Sequence, residues 1–279
     1  MANYCDVLLT SDHDRTLTAP DSTIPQRNLE AIQYFMEQGG AFTVNTGRTL
    51  PSYKKAMETV PSNAPFLLYN GSAAYDKTEE KFVFLHEFKM NWAETLKRIR
   101  ERFPSVWVEF QGQHAHYLFR EHAVWEKFCE NNNIAWKYAE PNDDLGPFLK
   151  FCVYARISEP NFDHLFQGEA DEIAMMDEVE AWLNEEMGDT CAVTRSANLY
   201  IDVQPAGVSK GKSSVELKEQ MGKKILVCIG DAENDLTMLD SADYAFCPCD
   251  GALKDQYTNV CGCAEGAVAD LIYNVIPKL

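Results

Sequence analysis

Short apolar runs alternate with stretches whose apolar residues fall three or four apart, and this alternation organises the first quarter of the chain. Val7-Leu8-Leu9 is short and wholly apolar, as a buried strand is. From Pro25 to Gln38, Leu29, Ile32, Phe35 and Met36 follow helical spacing; Pro25 suits a first turn and Gly39-Gly40 a stop. Ala41 to Asn45 predicts a second strand and Ser52 to Thr59 a helix. Phe66 to Tyr69 predicts a third strand, closed by the turn pair Asn70-Gly71. A β-α-β-α-β order predicts a parallel sheet with helices on its faces.

The period then changes. Ala73 to Tyr75 and Lys81 to Phe88 predict a hairpin, and Trp92, Leu96, Ile99 and Phe103 mark one face of a helix. Strands are predicted at Val106 to Phe110, His116 to Phe119, Phe148 to Ile157 and Asn198 to Val203. Helices are predicted around Val124 to Asn131 and Asp171 to Met187. Strand pairs separated by helices point to an α+β unit on an antiparallel sheet. After Pro205 the earlier pattern returns: a helix over Lys210 to Met221, a strand over Lys224 to Ile229 ending in Gly230-Asp231, and a short helix from Asn234. A strand near Tyr244 to Phe246 and a last helix from Gly266 to Val275 follow. The simplest account is an α/β core, residues 1–84 and 204–279, interrupted by an inserted α+β domain at 85–203.

Composition narrows the possible partners. The 279 residues are 46% hydrophobic, ordinary for a globular protein, and carry 25 basic against 43 acidic side chains, a net charge of −18. That balance argues against a nucleic-acid surface and against an anionic membrane surface. A small phosphorylated metabolite remains compatible, because one cation and a few basic side chains dominate a single pocket. No stretch approaches the ~20 apolar residues of a membrane span, and the N-terminus lacks a secretory pattern. Nine cysteines, an odd number, do not read as a disulfide framework, which points to a reduced, cytoplasmic protein; a monomer or homodimer is expected, with nothing in the sequence choosing between them.

Candidate chemistry sits where strands end. Asp12-His13-Asp14-Arg15-Thr16 follows the first apolar run, placing two acids at a strand's carboxyl end, where open α/β sheets hold their ligands. Two carboxylates at one point repel each other, and a divalent cation or a proton relieves the repulsion. The arrangement suits phosphoryl transfer with a carboxylate nucleophile and Mg²⁺; a surface turn rich in Asp, Thr and Pro is the plain alternative. Three further segments occupy comparable places: Thr46-Gly47-Arg48, Gly207-Val208-Ser209-Lys210-Gly211 and Gly230-Asp231-Ala232-Glu233-Asn234-Asp235.

In order and character, these four segments resemble the motifs of the haloacid dehalogenase (HAD) superfamily of phosphohydrolases. The insertion between the second and third motifs is similar to that of the Cof-like, subfamily IIB branch, relatives of the sugar-phosphate phosphatases. The resemblance spans nearly the whole chain. It implies a Rossmann-like parallel-sheet core with an inserted C2-type α+β cap, and a Mg²⁺-dependent phosphatase acting on a small phosphomonoester through an aspartyl-phosphate. Asp12 is then the nucleophile. Asp14 fits general acid for the leaving oxygen and then general base for water; the resemblance also gives its main-chain carbonyl to the metal, beside Asp12 and Asp231. Thr46 offers a hydroxyl and an amide to a phosphoryl oxygen, Gly47 permits close approach, and Arg48 could reach a phosphate or the cap. Lys210 would counter the charge of Asp12 and the phosphoryl group. Asn234 could serve phosphate or metal, and Asp235 a metal-bound water or the orientation of Lys210; either could equally cap the helix.

One position departs from the family. The residue after the second acid is usually glycine, and here it is Arg15, able to lean over the pocket or to point to solvent. Other signals carry less. Cys247, Cys249, Cys261 and Cys263 are too closely spaced within each pair for the usual zinc site and read as core cysteines. His114 and His116 would share a strand face, at the cap surface or lining substrate, and Trp107, Phe110, Tyr117 and Phe119 read as cap core. Asp202 and Gln204 are candidate substrate contacts. Two rivals use the same residues differently: phosphotransfer to a second substrate, as in a mutase, and a phospho-accepting binding module without turnover.

Overall fold

The computed structural model describes residues 4–155 and 163–279. They form two compact units, Met1–Arg48 with Lys55–Leu85 and Ser209–Leu279, and Thr49–Lys54 with His86–Val208.

The chain begins with β1 (Val7–Ser11), α1 (Gln26–Glu37), β2 (Ala41–Val44), α2 (Leu50–Thr59), β3 (Phe66–Leu68), β4 (Ala73–Asp76) and β5 (Lys81–Leu85). Every residue of β1 and β2 is buried, as expected of strands covered on both faces. On α1, Ala31, Ile32 and Phe35 face inward, together with the polar Asn28. That side chain donates to Leu17 O at 2.9 Å and accepts from Ala269 N at 2.9 Å, pinning the helix at both ends of the sequence.

The inserted segment holds α3 (Trp92–Arg102), β6 (Trp107–Gly112), β7 (His116–Leu118), α4 (Ala123–Asn131), β8 (Trp136–Tyr138), β9 (Phe148–Tyr154), α5 (Asp163–Gln167), α6 (Ala170–Met187), β10 (Cys191–Ala197) and β11 (Tyr200–Pro205). Its sheet runs β10-β11-β9-β6-β7-β8. Leu96 and Ile99 of α3 and Met176, Val179 and Leu183 of α6 join Phe110, Phe151, Val153 and Ile201 in one apolar cluster, with Trp107, Tyr117 and Phe119 also packed in it. The sheet is antiparallel except at its β7–β8 edge, which is parallel. Strands β8 and β10 were not predicted: β8 has three residues, and β10 is half-buried along nearly its whole length, so neither shows a hydrophobic period. The end of the predicted strand Phe148 to Ile157 lies outside the described residues. His114 lies exposed in the turn before β7, so it does not share a strand face with His116.

The chain returns through α7 (Lys210–Gln220), β12 (Ile225–Ile229), α8 (Leu236–Asp240), β13 (Tyr244–Pro248), β14 (Thr258–Val260) and α9 (Ala267–Asp270). The parallel sheet of this unit runs β14-β13-β12-β1-β2. Strand β3 was expected to extend it; it lies parallel beside the end of β2 at the bridge Asn45–Leu67, where Thr46 N–H donates to Leu67 O, and its other edge pairs with β4 in an antiparallel β3-β4-β5 sheet. The predicted last helix is present, beginning as α9 and continuing in wider turns through Leu271–Val275. Because β2 lies on one side of β1 and β12 on the other, the winding reverses at β1, and the crevice at a parallel sheet's carboxyl edge opens at such a reversal.

Candidate active site

Three strand ends of the first unit meet at that reversal. Asp12 follows β1, Asn45 and Thr46 follow β2, and Gly230-Asp231 follows β12. The start of α7 supplies Lys210, whose helix is capped by Ser209 Oγ accepting from Lys212 N at 3.2 Å. Asn45 fixes that start against β2: its Nδ2 donates to Lys210 O at 2.8 Å and lies within 3.2 Å of the Ser213 and Ser214 hydroxyls.

Lys210 Nζ donates to Asp12 Oδ1 and to Asp235 Oδ1, each at 2.6 Å, with the lysine side chain fully buried. Asp235 also accepts from the main-chain N–H groups of Asp231 at 3.0 Å and Ala232 at 3.1 Å. It therefore orients both the lysine and the loop that carries Asp231. Gly230 makes room for this, because a Cβ there would lie 2.6 Å from Asp235 Cβ and Cγ. Thr16 Oγ1 donates to Asp231 Oδ1 at 2.9 Å. Oxygens of Asp12, Asp231 and Asp235 lie within 4.8 Å of one another.

Buried beside one another, Asp12 and Asp231 hold their protons unusually well. Burial lifts the Asp12 carboxyl well above the ordinary range; Lys210 opposes the rise, and Asp235 and Asp231 add to it. Burial and then Asp235 push Asp231 up to about 7. Lys210 is held in its charged form by Asp12 and Asp235 against the opposing effect of burial. Burial pushes the His13 imidazole down to about 4, so it is neutral near pH 7. Three carboxylates beside one ammonium leave an excess of negative charge in a buried space. Hard divalent cations take carboxylate oxygens, so this donor set fits Mg²⁺.

Asp14 stands apart from the trio. Arg48 binds its carboxylate with both arms of the fork, Nε to Oδ2 at 2.9 Å and Nη2 to Oδ1 at 2.6 Å. Burial alone would raise the Asp14 carboxyl, but the Arg48 guanidinium holds it below the usual range. Thr46 is buried; its main-chain N–H is spent on Leu67 O at 3.0 Å and its Oγ1 accepts from Arg48 N at 3.2 Å. The hydroxyl, not the amide, is left as its possible phosphoryl contact. Gly47 approaches Asn70 so closely that a Cβ would lie 2.8 Å from Asn70 Oδ1. Asn234 is half-buried on the turn Glu233–Asp235 that leads into α8. Asp202, by contrast, lies in the sheet of the other unit, paired with Lys150 at 2.8 Å. Of the four cysteines read as core residues, Cys247 and Cys263 are buried, with Cys247 Sγ donating to Pro248 O and Cys263 Sγ to Asp250 Oδ2, each at 3.3 Å, whereas Cys249 is exposed and Cys261 half-buried.

Sequence reasoning missed Thr16, Asn45, Ser213 and Ser214. Each acts through a contact with a residue far along the chain, and none carries a local pattern that announces it. Arg15 takes φ +60° and ψ +13°, the left-handed region, with its N–H donating to Thr18 Oγ1 at 3.3 Å. The loop thus keeps a glycine-like turn without a glycine, at a cost of roughly 1 kcal/mol. Arg15→Gly is expected to raise stability by about 0.5–1 kcal/mol in urea unfolding, the relieved strain exceeding glycine's extra entropy; a lowered midpoint would refute the strain.

The chain belongs to the haloacid dehalogenase-like hydrolase family, whose sequence profile matches residues 9–252. It is thus a hydrolase with an α/β core and an inserted α+β unit. Among similar proteins is the HMP-PP phosphatase of Klebsiella pneumoniae, 22% identical over 86% of this chain and 82% of that protein. Another is the 5-amino-6-(5-phospho-D-ribitylamino)uracil phosphatase of Bacillus subtilis, 25% identical over 84% of each. A solved HAD/COF-like hydrolase from Plasmodium vivax shares the fold with a TM-score of 0.74 at 19% identity, covering 97% of this chain and 95% of that one.

Proposed function

We propose that this protein is a Mg²⁺-dependent phosphoric monoester hydrolase that cleaves a small phosphomonoester, a sugar phosphate by class, in the cytoplasm. The observation that carries this reading is the buried Asp12–Lys210–Asp235 chain beside Asp231. Its support is family membership and two relatives that bear the name phosphatase.

Asp12 and Asp231, with the main-chain carbonyl of Asp14, would hold the ion. Bound there, Mg²⁺ would neutralise phosphoryl charge as a Lewis acid. Asp12 attacks phosphorus, a P–O bond to it forms, and the bond to the leaving oxygen breaks. Once Arg48 has turned to the phosphoryl group, Asp14 takes up a proton and gives it to that oxygen, then takes one from the water that attacks the aspartyl-phosphate; inorganic phosphate leaves and Asp12 is restored. Lys210 holds the Asp12 carboxylate in place and offsets charge gathering on the phosphoryl oxygens. The Thr46 hydroxyl and Arg48 serve the same oxygens, with Asn234 at the rim. For Asp14 to reach a leaving oxygen, Arg48 must release it, and the incoming phosphoryl group is the natural competitor for that guanidinium.

The test is phosphate release from a panel of sugar phosphates, with Mg²⁺ and with chelator. Turnover is expected with the metal, to fall at least about 100-fold under chelation, and to return when Mg²⁺ is restored. Hydrolysis indifferent to chelator would remove the metal from the mechanism.

A further inference from the structure

We propose that Cys249 and Cys261 form a modification site: a peroxide joins them in a reversible disulfide that locks the segment beneath Asp231. Both cysteines belong to the first unit, and the bridge stands whether or not the protein is a phosphatase.

Their place in the sheet brings them together. Strands β13 and β14 run parallel, with Pro248 opposite Val260. One residue further, Cys249 N–H donates to Val260 O at 3.1 Å, the bond a parallel ladder makes when Cys249 stands opposite Cys261. Neighbouring strands lie about 4.7–4.9 Å apart, inside the roughly 4.4–6.8 Å that separates the Cα atoms of bridged cysteines. Both carry free thiols, Cys249 exposed and Cys261 half-buried, so a small oxidant reaches them.

The other two cysteines of this region are held elsewhere. Cys247 stands opposite Asn259, and its buried Sγ donates to Pro248 O; the buried Cys263 Sγ donates to Asp250 Oδ2. Nor do the four thiols converge on a metal. Among the described residues, Asp12, Asp231 and Asp235 are the only group of three or more His, Cys, Asp or Glu side chains close enough to hold one.

The two sulfurs differ in readiness. Burial, and then the charge of Asp270, holds the Cys261 thiol above its usual range, and a charge on Cys249 raises it further, as expected of neighbours. Exposed Cys249 therefore meets the oxidant first. Its thiolate breaks the O–O bond of hydrogen peroxide and keeps one OH as a sulfenic acid; the other leaves as hydroxide and takes up the thiol's proton to become water. The Cys261 sulfur then attacks the sulfenic sulfur, the S–OH bond breaks, and that hydroxide leaves as water with the Cys261 proton. Two thiols lose two electrons, and one peroxide becomes two waters. A dithiol reductant reverses the bridge.

The bridge closes the loop 250–260, on which Asp231 rests. Gly251 N–H donates to Pro248 O at 2.8 Å and Leu253 N–H to Asp231 O at 3.2 Å. A Cβ on Gly251 would lie 3.0 Å from Asp231 Cβ, so the segment runs directly against that acid.

To test this, the intact protein is treated with one equivalent of hydrogen peroxide, remaining thiols are alkylated, and a protease digest is mapped by mass spectrometry. The peptides carrying Cys249 and Cys261 should appear joined, lighter by two hydrogens, and separate under dithiothreitol. The thermal midpoint of the oxidised protein should rise by about 5 °C, because the bridge closes a loop. Cys261→Ser should instead leave Cys249 to collect two or three oxygens under excess peroxide, since no sulfur resolves its sulfenic acid. Cys5→Ser, which removes the other exposed thiol, should leave the joined peptides unchanged. Thiols left untouched, a bridge that uses other cysteines, Cys249 over-oxidised as readily in wild type as in Cys261→Ser, or an oxidised midpoint that stays level or falls would each overturn the assignment. Should Cys261→Ser fold poorly, the wild-type map and melting curve decide alone.

Discussion

Asp12→Asn is expected to lower kcat by at least about 10⁴-fold while leaving the protein folded. The amide is nearly isosteric but cannot form the acyl phosphate, so the first bond to phosphorus has no nucleophile. The same change removes one of the acids crowded with Asp231 and Asp235, and Lys210 keeps its 2.6 Å contact with Asp235. The thermal midpoint should therefore hold steady or rise. Phosphate release under single-turnover conditions, measured beside a melting curve, separates the outcomes. An active, equally stable Asn variant would sink the nucleophile assignment. An inactive but strongly destabilised one would move Asp12 from the chemistry to the scaffold.

Lys210→Met is expected to be the most destabilising single change in this unit. The ammonium is fully buried and bridges Asp12 and Asp235. Breaking a buried ion pair from one side strands the other charge, at a cost of about 3–5 kcal/mol. Adding Asp235→Asn to Lys210→Met should recover part of that loss, because one stranded carboxylate disappears. The recovery should not extend to turnover, since charge compensation at the phosphoryl oxygens stays absent. Denaturant unfolding of the single and double variants checks the sign; a loss below about 1 kcal/mol would mean that the ammonium is not held as the structure shows.

Much of the first unit could be read from the chain because its signals are local. The apolar run Val7-Leu8-Leu9 of β1 and the apolar β12 announce a parallel sheet, and the acids that close them, Asp12 and Asp231, sit one or two residues beyond each strand. Lys210 was legible as the first residue of a helix. What could not be read depends on contacts across long separations. Asp235 read equally as a helix cap, a partner of a metal-bound water and an orienting group for Lys210, and the 2.6 Å contact with Lys210 exists only once the fold brings the two together. Thr16 and Asn45 read as ordinary strand-end residues until Asp231 and α7 are in place. The short β8 and β14 carry too few residues to display a period.

The pairing of β1 with β12 aligns Val7 with Ile225 and Ser11 with Ile229. A growing chain must therefore wait for about four-fifths of its length before its central strand acquires a second neighbour. Until then β1 can pair only with β2, and its exposed edge is open to unwanted association. The inserted unit has its own apolar cluster and is synthesised during exactly that interval. Asp12 leaves the ribosome early, but the ammonium that holds it is made some two hundred residues later, so a ribosome-bound fragment ending before residue 210 should have no hydrolytic capability.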